Sequence, residues 1–215
     1  MSKYRQNESW ISNKFVGQLG IEAFMPNANM GLEEKGFKHA DIQRANRRMT
    51  CLRAMPKAWK AVAEQQEKLA EESAAMGNMV TAGAFYHRAA LYYGKAQLYH
   101  HKDDAMKLEL HASCVRCYEK AIAGYDYTIK RVVLPFEGKN IYGIFHAPKG
   151  ALNLPTVLFT PGMDMIKEDY PKEDIYKIFE KRKKANISYE ATSLIPIKKE
   201  NFIIKFFSKS PYLYV

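Results

Sequence analysis

The sequence predicts an α/β chain: an N-terminal helical part built of antiparallel hairpins, followed by the first strands of an incomplete sheet. Three observations lead to this. As far as Asp126, apolar residues recur at helical steps of three and four. From Tyr127 to Pro171 the runs become short, β-branched and aromatic, and from Lys172 the composition shifts to Lys, Ile, Phe and Tyr. The expected organisation is therefore a helical domain over 1–126, a partial sheet domain over 127–171, and a basic tail of unassigned fold over 172–215.

The helical zone opens after an irregular, Asn- and Gly-rich stretch from Pro26 to Gly36. Asp41 is placed to cap a helix running toward Arg53, because a side-chain carboxylate accepts from the exposed N–H groups of a first turn. Pro56 suits the first turn of the next helix, where its missing N–H costs nothing. Along that helix Trp59, Val62, Ala63, Leu69, Ala70, Ser73 and Met76 fall on one stripe, with Glu64, Glu67, Lys68, Glu71 and Glu72 largely away from it. Gly77 is the expected stop.

Thr81 starts a third predicted helix, in which Phe85, Ala89, Tyr92, Ala96 and Tyr99 recur at steps of four and three. Asp103 starts a fourth, with Leu108, Val115, Tyr118, Ile122 and Tyr125 on one face. At an offset of 32 residues, Phe85 to Ala89 lies over Cys117 to Ala121. Alternation of Ala with Tyr or Phe suits hairpins stacked like tetratricopeptide repeats, although two imperfect copies are few. This leaves a non-enzymatic interaction module as an alternative reading.

Thr128 to Phe136 and Ile141 to Phe145 read as strands joined through Glu137-Gly138-Lys139-Asn140, a hairpin connection. Pro155 to Phe159 is short and apolar, as expected of a strand covered on both faces, and it ends in the turn Thr160-Pro161-Gly162-Met163-Asp164. Ligand chemistry in open α/β sheets gathers at such carboxyl edges. In the tail, Ile175 to Phe179 suits a short helix and Phe202 to Phe207 a strand.

Composition narrows the function classes. With 47% hydrophobic and 26% charged residues the chain is globular. No window approaches the roughly 18 apolar residues of a membrane span, and the polar start MSKYRQNESW lacks a signal-peptide core, so a cytoplasmic location is expected. The net charge of +10 is unevenly spread: 18 basic against 14 acidic residues over 1–126, 5 against 4 over 127–171, and 10 against 5 over 172–215. The body is nearly balanced, and no nucleic-acid partner is expected.

Cys51, Cys114 and Cys117 are expected as reduced thiols. Cys114-Val115-Arg116-Cys117 with His111 resembles a metal motif, but no second ligand pair is spaced to complete it, so core thiols and no metal are expected. His100-His101 suits a helix C-terminus, and Arg44, Arg47, Arg48 and Arg53 a solvated basic face.

The stretches GNMVTAGAFYHRAALYYGKAQLYHH, IKRVVLPFEGKNIYGIFHAPKG and LPTVLFTPGMDMIKEDYP resemble the N-terminal part of a capped α/β-hydrolase, of the FrsA-like and 2,6-dihydropseudooxynicotine hydrolase-like kind. The resemblance covers roughly residues 8–171. It implies ester, amide or carbon–carbon bond hydrolysis of a small-molecule substrate by serine acyl transfer, without a cofactor. It also implies that the turn after the third strand donates a backbone N–H to an oxyanion hole, at Gly162 and Met163 in this chain. The usual His-Gly-Gly is replaced here by Thr160-Pro161-Gly162-Met163. A glycine lets backbone amides approach a developing oxyanion closely, and a simple turn explains Gly162 equally well. Tyr86, Tyr92 and Tyr93, with Tyr99, are candidates for a pocket between cap and sheet, or for plain helix packing.

An α/β-hydrolase needs a nucleophile on Gly-x-Ser-x-Gly, then an acid, then a His, in that order. In this chain the last glycine is Gly162 and the last histidine His146, which leaves Ser188, Ser193, Ser208 and Ser210 unactivated. The expectation is a truncated, inactive hydrolase chain with no catalytic residues of its own. A misread continuation of the gene and a genuine alternative tail both account for the change at Lys172. The strand ending at Phe159 is expected to leave an open edge that recruits a protein partner or a second copy.

Overall fold

In the computed structural model, which describes residues 3–26, 28–102, 104–125, 127–136, 139–150, 156–159, 165–169 and 185–189, the chain divides into two compact units, Met1–Tyr125 and Asp126–Val215. Each is described by itself.

The first unit holds helices α1 (Lys3–Leu19), α2 (Ile21–Phe24), α3 (Ala28–Glu34), α4 (His39–Asn46), α5 (Met55–Ala75), α6 (Met79–Tyr99) and α7 (Ala105–Ile122). Where the sequence places a helix from Asp41 toward Arg53, α4 starts two residues earlier, behind Lys38, and stops at Asn46. Asp41 is not its cap. Lying in the first turn and 2% exposed, it turns inward, where Arg44, Gln66 and Tyr92 donate to it.

Helix α5 carries its proline in the first turn, as expected, and ends at Gly77, whose φ of 78° is open to glycine. Asn78 N–H donates to Ser73 O at 2.9 Å and Gly77 N–H to Ala74 O at 3.0 Å, closing the last turn. The predicted stripe is buried at Trp59, Val62, Ala63, Ala70 and Ser73. It gains Gln66 and loses Met76, which is 70% exposed because it sits at the C-cap, past the face that packs.

The starts of α6 and α7 fall two residues before and two residues after the predicted Thr81 and Asp103, with Asn78 and Asp104 as N-caps. Asp104 accepts from Lys107 N–H at 3.2 Å, and His100, at the end of α6, pairs with Asp104 at 2.7 Å across the intervening turn. The buried face of α7 is Leu110, Ser113, Cys114, Cys117, Tyr118 and Ala121, whereas the predicted Leu108 is 72% exposed. At this level α6 and α7 meet through small residues, and a Cβ added at Gly83 of α6 would lie 3.5 Å from Ala121 O, an ordinary van der Waals contact.

Helix α6 packs on both α5 and α7, and it is apolar on several faces, as a central helix must be. Three ion pairs join its neighbours: Lys60–Glu109 at 2.7 Å, Glu67–Arg116 at 2.9 Å and Glu71–Lys120 at 3.8 Å. Every pair has the same sequence offset, so α5 and α7 run in the same direction with α6 reversed between them. Glu67 and Glu71, away from the apolar stripe of α5, thus reach across to α7. Glu67 is drawn in further by Tyr93, whose hydroxyl donates to it at 2.8 Å. Behind this frame Phe37, Trp59 and Tyr92 form an aromatic cluster, with ring centroids 5.0 to 5.6 Å apart.

In the second unit, β1 (Tyr127–Phe136) and β2 (Lys139–Pro148) pair antiparallel from Tyr127↔Pro148 to Phe136↔Lys139. Lys139 and Asn140 therefore belong to the strand, and the connection, 137–138, lies outside the described residues. Strand β3 is Thr156–Phe159. A fourth strand, β4 (Ala185–Tyr189), comes from the zone in which the sequence offered no organised fold beyond two short suggestions. It enters between β2 and β3, antiparallel to the first and parallel to the second, giving the order β1-β2-β4-β3. A parallel pair cannot close through a tight turn, and 25 residues separate Phe159 from Ala185. Among the described strands, β1 and β3 form the edges. The suggested helix at Ile175 to Phe179 and strand at Phe202 to Phe207 lie outside the described residues. Among the described residues, no helix is long and apolar enough to cross a membrane.

Candidate functional site

Gly162 and Met163 lie outside the described residues, but the strand before them and the segment after them do not. Strands β3 and β4 run parallel with Phe159 opposite Ser188, so both carboxyl ends reach the same end of the sheet. The chain is described again at Met165 and immediately buries Ile166, Lys167, Glu168 and Asp169, in a 3₁₀ turn over Lys167–Asp169 that lies against β2.

Three consecutive buried charges are costly unless paired. Lys167 Nζ sits 2.8 Å from Glu168 Oε1, and both side chains are 3% exposed. Asp169 Oδ2 accepts from Ile166 N–H at 3.1 Å, while Asp169 N–H donates to Ile166 O at 3.1 Å, so the turn closes on itself. The sequence alone assigns these residues no role of their own. The available signal was the adjacent opposite charges, Lys167 and Glu168, two residues after Met165 and flanked by apolar sequence on the strand side.

His146 is buried on β2, opposite Ile129 of β1 and Asn186 of β4. Burial pushes its pKa down to about 4, so it is neutral at neutral pH. By chain order it precedes any nucleophile of a hydrolase site, which does not match the Ser-acid-His sequence of roles. His87 on α6 is shifted likewise to about 4, by burial first and then by Arg88. Its Nδ1 lies 3.3 Å from the Tyr125 hydroxyl, and its Nε2 is sealed from solvent with no hydrogen-bond partner.

Both histidines make the fold acid-sensitive. Above the ordinary pKa of 6.5 both are neutral folded or unfolded, and their contribution is fully present. As pH falls from 6.5 toward 4 the unfolded chain takes up protons that the folded chain refuses, and stability is lost, by up to about 3 kcal/mol per histidine. Urea unfolding at neutral pH, in the middle of this window and at its lower end is expected to show that decline. His146→Phe and His87→Phe should each flatten part of it.

The three candidate pocket tyrosines each engage a different partner through the hydroxyl. The Tyr92 hydroxyl donates to Asp41 Oδ2 at 2.8 Å and accepts from Lys38 N–H at 3.2 Å. Tyr93 donates to Glu67, and Tyr86 accepts from Lys120 at 3.4 Å. Burial, then the neighbouring carboxylates, hold the Tyr92 and Tyr93 phenols well above their usual pKa, so they remain protonated donors. Burial also raises Glu67, but the hydrogen bonds from Arg116 and Tyr93 outweigh it and hold the carboxyl below its usual range. Tyr99 does line a cavity, with Trp59, Met49 and Met55, of about 20 Å³, room for about one water.

Cys114 and Cys117 are buried, and burial with Glu67 nearby pushes the Cys117 thiol up to about 12, so it is an inert core thiol at neutral pH. Among the described residues no group of His, Cys, Asp and Glu could hold a metal ion.

Comparison with known proteins bears on these elements directly. A family model described as "Esterase FrsA-like" matches residues 56–195. The match begins later than the resemblance suggested and continues past Pro171 to include β4. The chain is 31% identical over 117 residues to "Alpha/beta hydrolase xenA" of Xenoacremonium sinensis, covering 52% of this chain and 28% of that protein. It is 33% identical over 107 residues to "Esterase FrsA" of Yersinia pestis (strain Pestoides F), covering 49% of this chain and 25% of that protein. Among solved structures it is similar to a 2,6-dihydroxy-pseudo-oxynicotine hydrolase, with TM-score 0.60 and 23% identity over 74% of this chain and 44% of that one. That likeness shows an incomplete α/β fold with a helical cap. The chain spans little more than a quarter of the curated relatives it matches, and the comparisons lend no support to the tetratricopeptide alternative.

Proposed function

Because the chain belongs to the FrsA-like esterase family, we propose that it supplies the cap and the oxyanion side of a serine-hydrolase site, without the nucleophile. The helical unit is the cap, and Gly162 and Met163, between β3 and the buried turn at Lys167, donate backbone N–H groups to the oxyanion. Donors fixed in this way act where negative charge develops, and each is worth roughly 3 to 4 kcal/mol of barrier. The reaction is hydrolysis of an ester, amide or carbon–carbon bond in a small molecule, by acyl transfer through serine and without a cofactor. The engaged hydroxyls of Tyr86, Tyr92 and Tyr93 support a packing role for them rather than substrate contact.

The observation that carries this reading is the family match running from α5 through β4, set against a sequence with no Gly-x-Ser-x-Gly and no histidine after His146. These 215 residues alone are therefore expected to hydrolyse a p-nitrophenyl ester no faster than a heat-killed control. Turnover that a serine-directed reagent abolishes would refute it.

A further inference from the structure

The connection between α4 and α5 precedes the family-matched residues, and the hydrolase reading gives it no task. It runs Arg47-Arg48-Met49-Thr50-Cys51, then through the 3₁₀ turn Leu52–Ala54 into α5. Arg47 N–H still reaches Gln43 O at 3.1 Å, but Arg48 N–H and Met49 N–H turn back only three residues, to Ala45 O at 2.9 Å and Asn46 O at 3.0 Å. The helix is thereby spent before Thr50, which lies on non-helical backbone.

Three contacts hold the segment to the rest of the unit. Met49 is 4% exposed, Leu52 N–H donates to Asn13 Oδ1 at 2.9 Å, and Thr50 O lies 3.3 Å from where a Cβ at Gly17 would sit. The side chains of Arg47, Arg48, Thr50 and Arg53 are exposed. Arg44, one turn earlier, is paired with Asp41 at 2.6 Å, whereas among the described residues no ion pair occupies Arg47 or Arg48.

This spacing has a chemical meaning. A hydroxyl that accepts a phosphoryl group from an enzyme must be reachable, must lie on backbone that can fit a groove, and must be marked by charges the groove can read. Two arginines, three and two residues before the hydroxyl, offer two planar guanidinium forks to carboxylates of a partner. In this sequence Thr50 is the only Ser or Thr with Arg at both positions.

We propose that Thr50 is a phosphorylation site, modified by an ATP-dependent protein kinase whose substrate groove is acidic. Thr50 Oγ1 attacks the γ-phosphorus of ATP, and the bond from that phosphorus to the bridging oxygen breaks. ADP leaves with the electron pair, and the hydroxyl proton passes to a carboxylate base of the kinase. The product carries about −1.5 to −2 charge at neutral pH, within three residues of Arg47, Arg48 and Arg53. This inference stands apart from the hydrolase reading.

The test incubates the full chain with magnesium ATP and the catalytic subunit of cyclic-AMP-dependent protein kinase, a kinase with such a groove, and locates phosphate by tandem mass spectrometry. Phosphate is expected on Thr50, at a rate within about tenfold of that on a free peptide of residues 44–56, because only a short connection has to adapt to the groove. Thr50→Val should abolish incorporation at this segment, and Thr50→Ser should keep it. Arg47→Gln with Arg48→Gln should lower kcat/KM about a hundredfold, since each guanidinium supplies a charge-assisted contact, whereas Arg53→Gln should change it less than about threefold. Unchanged circular dichroism melts would show that the variants remain folded. Phosphate on other residues but not on Thr50, or a rate indifferent to the arginine pair, overturns the proposal. So does incorporation into the peptide or the heat-unfolded chain but not into the folded one, or into none of them.

Discussion

Asp41→Ala is expected to destabilise the helical unit by about 3 kcal/mol, because it strands donors that have no other partner in reach. The Asp41 carboxylate is 2% exposed and receives Tyr92 at 2.8 Å, Gln66 at 3.2 Å and Arg44 at 2.6 Å, so it ties α4, α5 and α6 together. Arg44 is half-exposed and returns to water at little cost, whereas the Tyr92 hydroxyl and the Gln66 amide stay inside. Gln66 Oε1 already lacks a hydrogen-bond partner, so the site has no slack. Asp41→Asn, which keeps an acceptor for Tyr92, should cost less than half as much. Tyr92→Phe, which removes the hydroxyl but retains the ring between Phe37 and Trp59, should cost about 1 to 2 kcal/mol. Urea unfolding followed by far-ultraviolet circular dichroism would measure all three. A loss below 1 kcal/mol in Asp41→Ala would mean that the carboxylate merely fills space.

In the sheet unit the largest effect is expected at the Lys167–Glu168 pair. Removing either charge alone, as Lys167→Met or Glu168→Gln, should cost about 3 to 5 kcal/mol, since it takes the paired charge away from an ion that is only 3% exposed. Replacing both together with Met and Leu should be close to neutral, because two desolvation penalties vanish along with the attraction. The double-mutant cycle is therefore expected to show a coupling nearly as large as the single losses. Additive single losses would mean that the two charges are held by different neighbours. Because this turn directly follows residues 160–164, the same variants test how firmly the strand end is anchored to β2.

Most of the helical unit was legible as pattern. Pro56 and Gly77 marked the ends of one helix because proline and glycine act on the backbone locally, whatever the tertiary context. Asp41 misled for a related reason: an acidic residue near a helix start suits capping, and only a distant tyrosine and glutamine on other helices gave its carboxylate better partners. Leu108 misled because helical period alone does not say which of two adjacent stripes faces the neighbouring helix, and α7 buries the stripe that carries its thiols. Strand β4 was missed although Ala185, Ile187 and Tyr189 alternate with Asn186 and Ser188, because five residues beside a lysine run carry little signal until a neighbour supplies their hydrogen bonds.

For the candidate site, the residues themselves gave the strand, the turn with Gly162, and the absence of an elbow glycine and a later histidine. Those are matters of covalent order, and the sequence by itself determined them, together with the succession of helices and strands and the family they resemble. Tertiary structure alone decided that β4 lies between β2 and β3, that Lys167 and Glu168 go inside as a pair, and that Glu67 and Glu71 bridge two helices. The physical reason is the same throughout. Local backbone preferences are written in a few consecutive residues, whereas the partner of a strand edge or a charge is chosen by groups far away in the chain, in competition with water.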